Sequence, residues 1–313
     1  MVPGPRVLII AGPTASGKSA LAVSLAEELG NGVIINADSI QCYRDLPTLT
    51  ARPTPQDERR VPHHLYGMLG PTEMLSAMAW AHKASVEIKN TIAQGKQPII
   101  VSGNGFYLKA LMEGLADIPA VPAEIRAQTN ELISAIGPQA LHEKLKIIDP
   151  ITAVRLKPTD KQRIARAWEV FEATQTPLST WQSQSPTPPI QATFIGLLVQ
   201  PPREALYQAC DARFLSMLAN GALAEVEALV KAGTTIADPV MRALGAQDLA
   251  RHLAGKASLA EATSLAQATT RHYAKRQTTW FKNQFNAEYT VNAQFSESLL
   301  CNIFPEIRRL LLT

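Results

Sequence analysis

An α/β core with a parallel sheet, interrupted by an inserted helical segment, is the fold that three observations predict for this 313-residue chain. A short β-branched run, Val7-Leu8-Ile9-Ile10, leads directly into Gly12-Pro13-Thr14-Ala15-Ser16-Gly17-Lys18-Ser19 and then into a helix with an apolar face. Further short apolar runs (Val33 to Ala37, Pro98 to Val101, Phe194 to Val199) alternate with helical stretches, the pattern of parallel strands joined by crossovers. Between Asp117 and Pro189 the strand pattern stops and helical patterns continue.

The first run and the segment after it set the core. Residues 12–19 match G-x-x-x-x-G-K-[ST], and the strand before them and helix after them are the context a phosphate-binding loop requires. Glycines let the backbone turn its N–H groups inward around an anion, and the positive end of the following helix adds to the attraction. The expected core is therefore P-loop NTPase-like, a parallel sheet with helices on both faces. In that reading Lys18 is a point charge on the terminal phosphate, Ser19 a Mg²⁺ ligand, and Thr14 lies near whatever leaves or attacks. The loop alone does not say whether the phosphate belongs to a nucleotide.

With 46% hydrophobic residues the chain can bury a sizeable interior, and disorder is not the expectation. A net charge of +3 and a pI near 8.7 permit nucleic acid as a partner without demanding it. Cys42, Cys210 and Cys301 are far apart and lack metal-ligand spacing, which fits a reducing compartment. The chain starts on a strand rather than a cleavable leader, and no apolar run approaches a membrane span. A soluble, cytoplasmic protein without membrane association is expected.

Along the chain, the second strand delivers Asp38-Ser39 at its carboxyl end, where open α/β sheets bind ligands. A plainer role for Asp38 is to cap the next helix. The threonines and prolines of 46–55 mark an irregular loop. His63 and His64 are adjacent, so they point to opposite faces, and packing roles are expected rather than a metal. A long helix is expected over Pro71 to Gln94. The third strand runs into Ser102-Gly103-Asn104-Gly105, a second glycine-rich turn beside the first, and a helix follows from Phe106 to Met112.

Residues 1–118 and 190–313 form the expected catalytic core, and 119–189 an inserted helical domain. Within the insertion Arg155, Lys157, Lys161, Arg163 and Arg166 face one acid, Asp160; a solvated helix surface would explain them as well as RNA would. The segment closes on the turn-rich stretch 183–189. After the returning strand, Arg203 and Arg213 are placed to reach an anion, and the remainder is expected to be helical. In Thr270 to Lys282, four cations interleave with Tyr273, Trp280 and Phe281, a composition suited to single-stranded RNA.

Taken together, these motifs resemble one family, the bacterial tRNA dimethylallyltransferases, which prenylate N6 of the adenine just after the anticodon. The resemblance spans nearly the whole chain: residues 12–19; Ala37-Asp38-Ser39 with Gln41 and Tyr43; Thr50-Ala51-Arg52-Pro53; Val61 to Leu65; Tyr107 to Leu111; Asp160 to Ile164 with Arg166-Ala167; Arg213-Phe214; and Thr270-Arg271 with Tyr273 to Gln277 and Trp280. It implies Asp38 as general base, with Thr14 and Arg213 also catalytic. Gly12, Pro13, Thr14, Ala15, Ser16, Gly17, Lys18, Ser19 and Arg213 would hold dimethylallyl diphosphate, and Ser19 its Mg²⁺. Donor and flipped adenine would meet in a channel through the core.

The tRNA anticodon stem-loop would be bound by Asp38, Ser39, Ile40, Gln41, Gly103, Arg126, Gln162, Arg163, Ile164, Ala165, Arg166, Arg242, Gly245, Gln247, Arg271, Lys275 and Arg276. A monomer is the expected state. Three segments depart from the family pattern: Ser102-Gly103-Asn104-Gly105-Phe106, Pro47 with Leu49, and Gly245-Ala246-Gln247. The competing readings are a small-molecule kinase, a non-catalytic nucleotide- or RNA-binding switch, and a prenyltransferase acting on free adenine nucleotides.

Overall fold

The computed structural model describes residues 4–184 and 186–312; Met1 to Pro3, Thr313 and Ser185, which falls in the turn-rich 183–189 stretch, lie outside them. The first half of the core comprises β1 (Arg6–Ala11), α1 (Lys18–Leu29), β2 (Gly32–Asn36), α2 (Pro55–Arg60), β3 (His63–His64), α3 (Ala77–Ala93), β4 (Gln97–Ser102) and α4 (Gly105–Met112). The insertion follows with α5 (Ala123–Ile148), α6 (Pro150–Arg155), α7 (Lys161–Thr174) and α8 (Leu178–Ser183). The chain then returns through β5 (Thr193–Val199), α9 (Arg203–Ala219), α10 (Ala222–Lys231), α11 (Ala246–Leu253), α12 (Leu259–Gln284), β6 (Tyr289–Val291) and α13 (Leu300–Leu312).

All neighbouring strands are parallel, in the order β3-β2-β4-β1-β5-β6. From β1 the chain first builds to one side and later, with β5, to the other, so the order reverses beside β1. A crevice at the carboxyl ends of the strands is the consequence, and the phosphate loop leaves β1 there. Leu8, Ile10, Ile34, Ile99, Ile195 and Leu197, alternate residues of their strands, share one buried cluster with Leu21 and Leu25 of α1 and Ile303 and Ile307 of α13. The helix α3 packs against β2 and β4, with Trp80 and Ile88 fully buried.

Two expectations need correction. The helix expected from Pro71 begins only at Ala77, because Ser76 Oγ accepts the Ala79 N–H and caps it, while Glu73 turns back to accept the Gly70 N–H. The tail is not wholly helical: β6 adds a sixth strand. Three residues are too few to show a periodicity, and the strand is held by pairing with β5 and by Glu288, whose carboxylate accepts the Gly196 N–H.

The chain divides into two compact units, one running to Met112 and resuming at Pro189, the other spanning Glu113–Pro188. The second unit begins before the expected residue 119 because Ile118 packs into its core and the two connecting strands of chain touch. A Cβ on Gly114 would stand 2.5 Å from the Thr187 carbonyl oxygen. In this unit α5 kinks at Gly137-Pro138, where Gly137 has φ 79°. Asp149 stitches the following turns, accepting the N–H groups of Thr152 and Ser179, each at 3.0 Å.

Candidate active site

The phosphate loop is shaped by close backbone approaches. Ala15 and Gly17 take φ of 62° and 89°, and a Cβ on Gly12 would lie 2.5 Å from the Val199 carbonyl oxygen. From behind, Gln294 Nε2 donates to the Ala15 carbonyl at 2.8 Å and the Phe295 N–H to that of Ser16 at 3.4 Å. With its carbonyls held there, the loop presents N–H groups to the front. The N–H groups of Ala15, Gly17, Lys18 and Ser19 carry no hydrogen bond to another described residue. The cradle is narrower than expected: Gly12 N–H donates to Ser102, Thr14 N–H to Gln277, Ser16 N–H to Pro13, and Pro13 has none to offer.

Lys18 is half-buried, with Nζ donating to the Pro13 carbonyl at 3.3 Å. Burial pushes its pKa down to about 8; Asp38 opposes the shift and Arg213 adds to it. Arg213 on α9 donates to Thr14 Oγ1, and burial lowers its pKa too, partly offset by Cys210 and Asp38. Two cations thus sit beside amide donors with little solvent to stabilise them, an arrangement that favours an anion.

Asp38 is aimed by its neighbours. Its N–H donates to Asn36 Oδ1 at 2.8 Å, while buried Asn36 donates from Nδ2 to the carbonyls of Asp38 and Leu65. No helix starts after Asp38, so the capping role does not apply; Oδ1 instead accepts the Ile40 N–H at 3.0 Å in a tight turn. Its other oxygen points toward Gly103. A Cβ added there would lie 2.8 Å from Gln277 Nε2, 3.4 Å from Lys18 Nζ and 3.6 Å from Asp38 Oδ2. Gly103 is therefore a buried spacer around which the side chains of Gln277, Lys18 and Asp38 close.

Two cavities meet at this point. One, of about 330 Å³, is lined by the phosphate loop, Lys18, Ser19, Asp38 and Arg213. The other, of about 240 Å³, is lined by Asp38, Ser39 and Tyr273 together with apolar Leu49, Phe214, Met217 and Leu244. Thr14, Asp38, Gln41, Thr50 and Arg213 border both. Ser19 is exposed, and among the described residues no group of three His, Cys, Asp or Glu side chains could hold a metal. The donor that the loop offers a Mg²⁺ is the Ser19 hydroxyl, and such an ion would take its other ligands from bound phosphates and water.

The departures from the family pattern have structural work. Asn104 Oδ1 caps α4, accepting from Phe106 and Tyr107, and its Nδ2 donates to Ser39 Oγ at 3.4 Å. Leu49 forms part of the apolar wall, and the carboxylate of Glu225 holds its loop by accepting the N–H groups of Thr48 and Leu49. Gly245 begins α11 with φ 87°, and a Cβ there would lie 2.5 Å from the Phe214 ring. It is a buried packing residue.

Ile164 and Ala165 are buried in a core cluster of the insertion with Ile133 and Leu141. On the same helix Gln162 and Arg163 are exposed and Arg166 is half-buried; Arg163 reaches Asp160 at 3.6 Å and Arg166 reaches Glu169 at 3.8 Å. Arg126 is exposed on α5. Gln41 spends its Nε2 on the carbonyls of Thr50 and Ala51, both at 2.9 Å. Arg271 is paired with Asp211, while Lys275 and Arg276 are exposed on α12, Arg276 over the Tyr273 ring. Arg242 is exposed and borders the apolar cavity, and exposed Gln247 donates to the Ile236 carbonyl. Histidines 63 and 64 bond the Val61 carbonyl and Glu87.

Sequence reasoning missed Gln277, buried between the phosphate loop and Gly103, since its stretch was read for its cations. It also missed Gln294 behind the loop. An uncharged amide among charged residues carries no compositional signal.

A phosphate loop feeding one cavity, an apolar wall lining the next and a carboxylate where they meet define a phosphate-loop protein built to bring two ligands together. The IPP transferase family model matches residues 41–284, and the isopentenyl transferase model residues 5–64. The chain belongs to the IPP transferase family. A tRNA dimethylallyltransferase of Rhodospirillum centenum is 50% identical over 282 residues, 90% of each chain. That of Parvibaculum lavamentivorans is 47% identical over 308 residues, 98% of each. Among solved structures, the tRNA isopentenylpyrophosphate transferase of Bacillus halodurans superposes with a TM-score of 0.69 at 30% identity, covering 98% of this chain and 96% of that one. A eukaryotic dimethylallyltransferase acting on tRNA gives 0.82 at 26% identity, covering 97% and 77%.

Proposed function

We propose that the protein transfers a dimethylallyl group from dimethylallyl diphosphate to N6 of the adenosine at tRNA position 37, next to the anticodon, releasing diphosphate. The observation that carries this reading is Asp38 at the junction of an anion cradle and an apolar-walled cavity. The C1–O bond of the donor breaks and an N6–C1 bond forms; the proton lost from N6 passes to the Asp38 carboxylate, and the electron pair leaves with diphosphate. Because N6 must leave the stacked loop to be reached, the adenine enters flipped. Lys18, Arg213 and the free loop amides take up the charge that develops on the leaving oxygens. Mg²⁺, held by the diphosphate and Ser19, would supply further charge neutralisation.

Among the described residues no helix is long and apolar enough to cross a membrane, and we take the cytoplasm, with one chain per tRNA, as the working state. Incubation with Mg²⁺ and dimethylallyl diphosphate, offering unmodified tRNA or AMP, followed by nucleoside mass analysis, tests the reading. A prenyl mass on tRNA adenosine supports it; prenylation of AMP alone, or phosphoryl transfer from ATP to a small acceptor without it, overturns it.

Two expected results follow from the geometry. Gly103→Ala forces apart the groups that converge there and should lower kcat/KM by about 10²-fold, the scale of a misplaced reacting group, with a fall of a few degrees in Tm from the overpacked contact. Retained activity would mean that this close approach does not matter. Replacing Arg163 and Arg166 by Gln should weaken tRNA binding and flatten its dependence on log salt by up to about 0.7 per lost phosphate contact. An unchanged slope would make both residues ordinary solvated cations.

A further inference from the structure

Gln277 is 6% exposed, on the face of α12 turned to the catalytic junction. Its Oε1 accepts the Thr14 N–H at 2.8 Å, and its Nε2 donates to the Gly103 carbonyl at 2.6 Å. Tyr273, one turn earlier on the same helix, lines the apolar-walled cavity. The carboxamide thus bridges the loop after β1 to the turn after β4, which otherwise meet through the Gly12 N–H bond to the Ser102 carbonyl. Thr14 carries the hydroxyl that receives Arg213, and Gly103 is the spacer facing Lys18 and Asp38. One amide therefore ties the anion cradle to the turn that stands beside Asp38.

We propose that Gln277 is a positioning residue for the transfer: its carboxamide holds the Thr14 and Gly103 backbones at the separation that puts the donor diphosphate in register with Asp38. The inference rests on the proposed function but is tested apart from it. An amide suits the position because it presents one acceptor and one donor at fixed geometry without charge. A carboxylate keeps the acceptor, loses the donor and sets a negative oxygen against the Gly103 carbonyl; when protonated it offers both groups again.

Three measurements decide. Gln277→Met, of similar size and without either hydrogen bond, should lower kcat by about 10²-fold and raise the KM for dimethylallyl diphosphate, leaving the Kd for tRNA within about twofold of the parent. Binding of inorganic diphosphate with Mg²⁺, which needs no turnover, should weaken about tenfold, an amount comparable to one lost hydrogen bond to a charged partner. Gln277→Glu should regain activity, as a ratio to the parent at each pH, as pH falls from 8 to 6. Lys18, Arg213, Tyr273 and Cys210 face the site in both proteins, and the ratio cancels the part of their pH dependence that the substitution leaves unchanged. Parent-like kcat and diphosphate affinity in Gln277→Met, or a flat ratio in Gln277→Glu, overturns the inference. Weakened tRNA binding with unchanged donor KM also overturns it, by making Gln277 an RNA contact. If Gln277→Met does not fold, as judged by circular dichroism, the Gln277→Glu ratio alone decides. A parent protein that binds diphosphate but prenylates no tRNA overturns the proposed function instead.

Discussion

Asp38→Asn should lower prenyl transfer by about 10² to 10⁴-fold, the usual cost of removing a positioned base. The substitution is nearly isosteric: an asparagine oxygen can still accept the Ile40 N–H at the place where Asp38 Oδ1 does, so the turn after β2 should persist. What is lost is the second oxygen's ability to take a proton at the meeting point of the two cavities. Affinity for tRNA, measured without donor, should change by no more than a few-fold. Near-parent turnover would remove Asp38 from the chemistry.

Lys18 carries the second large effect. Lys18→Met should cost about 10² to 10³-fold in kcat, on the scale of a removed donor to a developing anion. A pH signature accompanies it. Burial has brought the Lys18 pKa to about 8 in the free protein, so the cation that attracts diphosphate is present below that pH and lost above it. The kcat/KM for the donor, which reports the free enzyme, should therefore fall as pH rises through about 8. Bound diphosphate favours the ammonium, so kcat itself should hold to higher pH. Lys18→Arg, whose guanidinium stays charged, should abolish the limb even if it lowers the rate. A limb that survives in Lys18→Arg belongs to another group.

Much of this was legible in the chain because it is written in local patterns. The loop 12–19 announces itself by two glycines, a lysine and its flanking strand and helix, and Asp38 by standing at a strand end. Which loop amides are free was not legible, since that depends on Ser102 and Gln277, both distant in sequence. Nor was burial within α7: Ile164 and Ala165 lie inside a motif whose arginines face outward, and adjacent positions on a helix point different ways. The strand β6 was too short to show its period, though its register against β5 is what brings Gln294 and Phe295 behind the loop.

That last attachment bears on how the molecule is made. The loop leaves the ribosome well before the amide that props Ala15, which is synthesised 279 residues later. β1 likewise waits for β5 before it gains its second neighbour. A nascent chain can display the whole phosphate motif and hold no finished cradle, because contacts this distant in sequence form late. Catalytic competence should arrive abruptly, once residue 294 has emerged, and a ribosome stalled before that residue should carry a chain that binds diphosphate poorly.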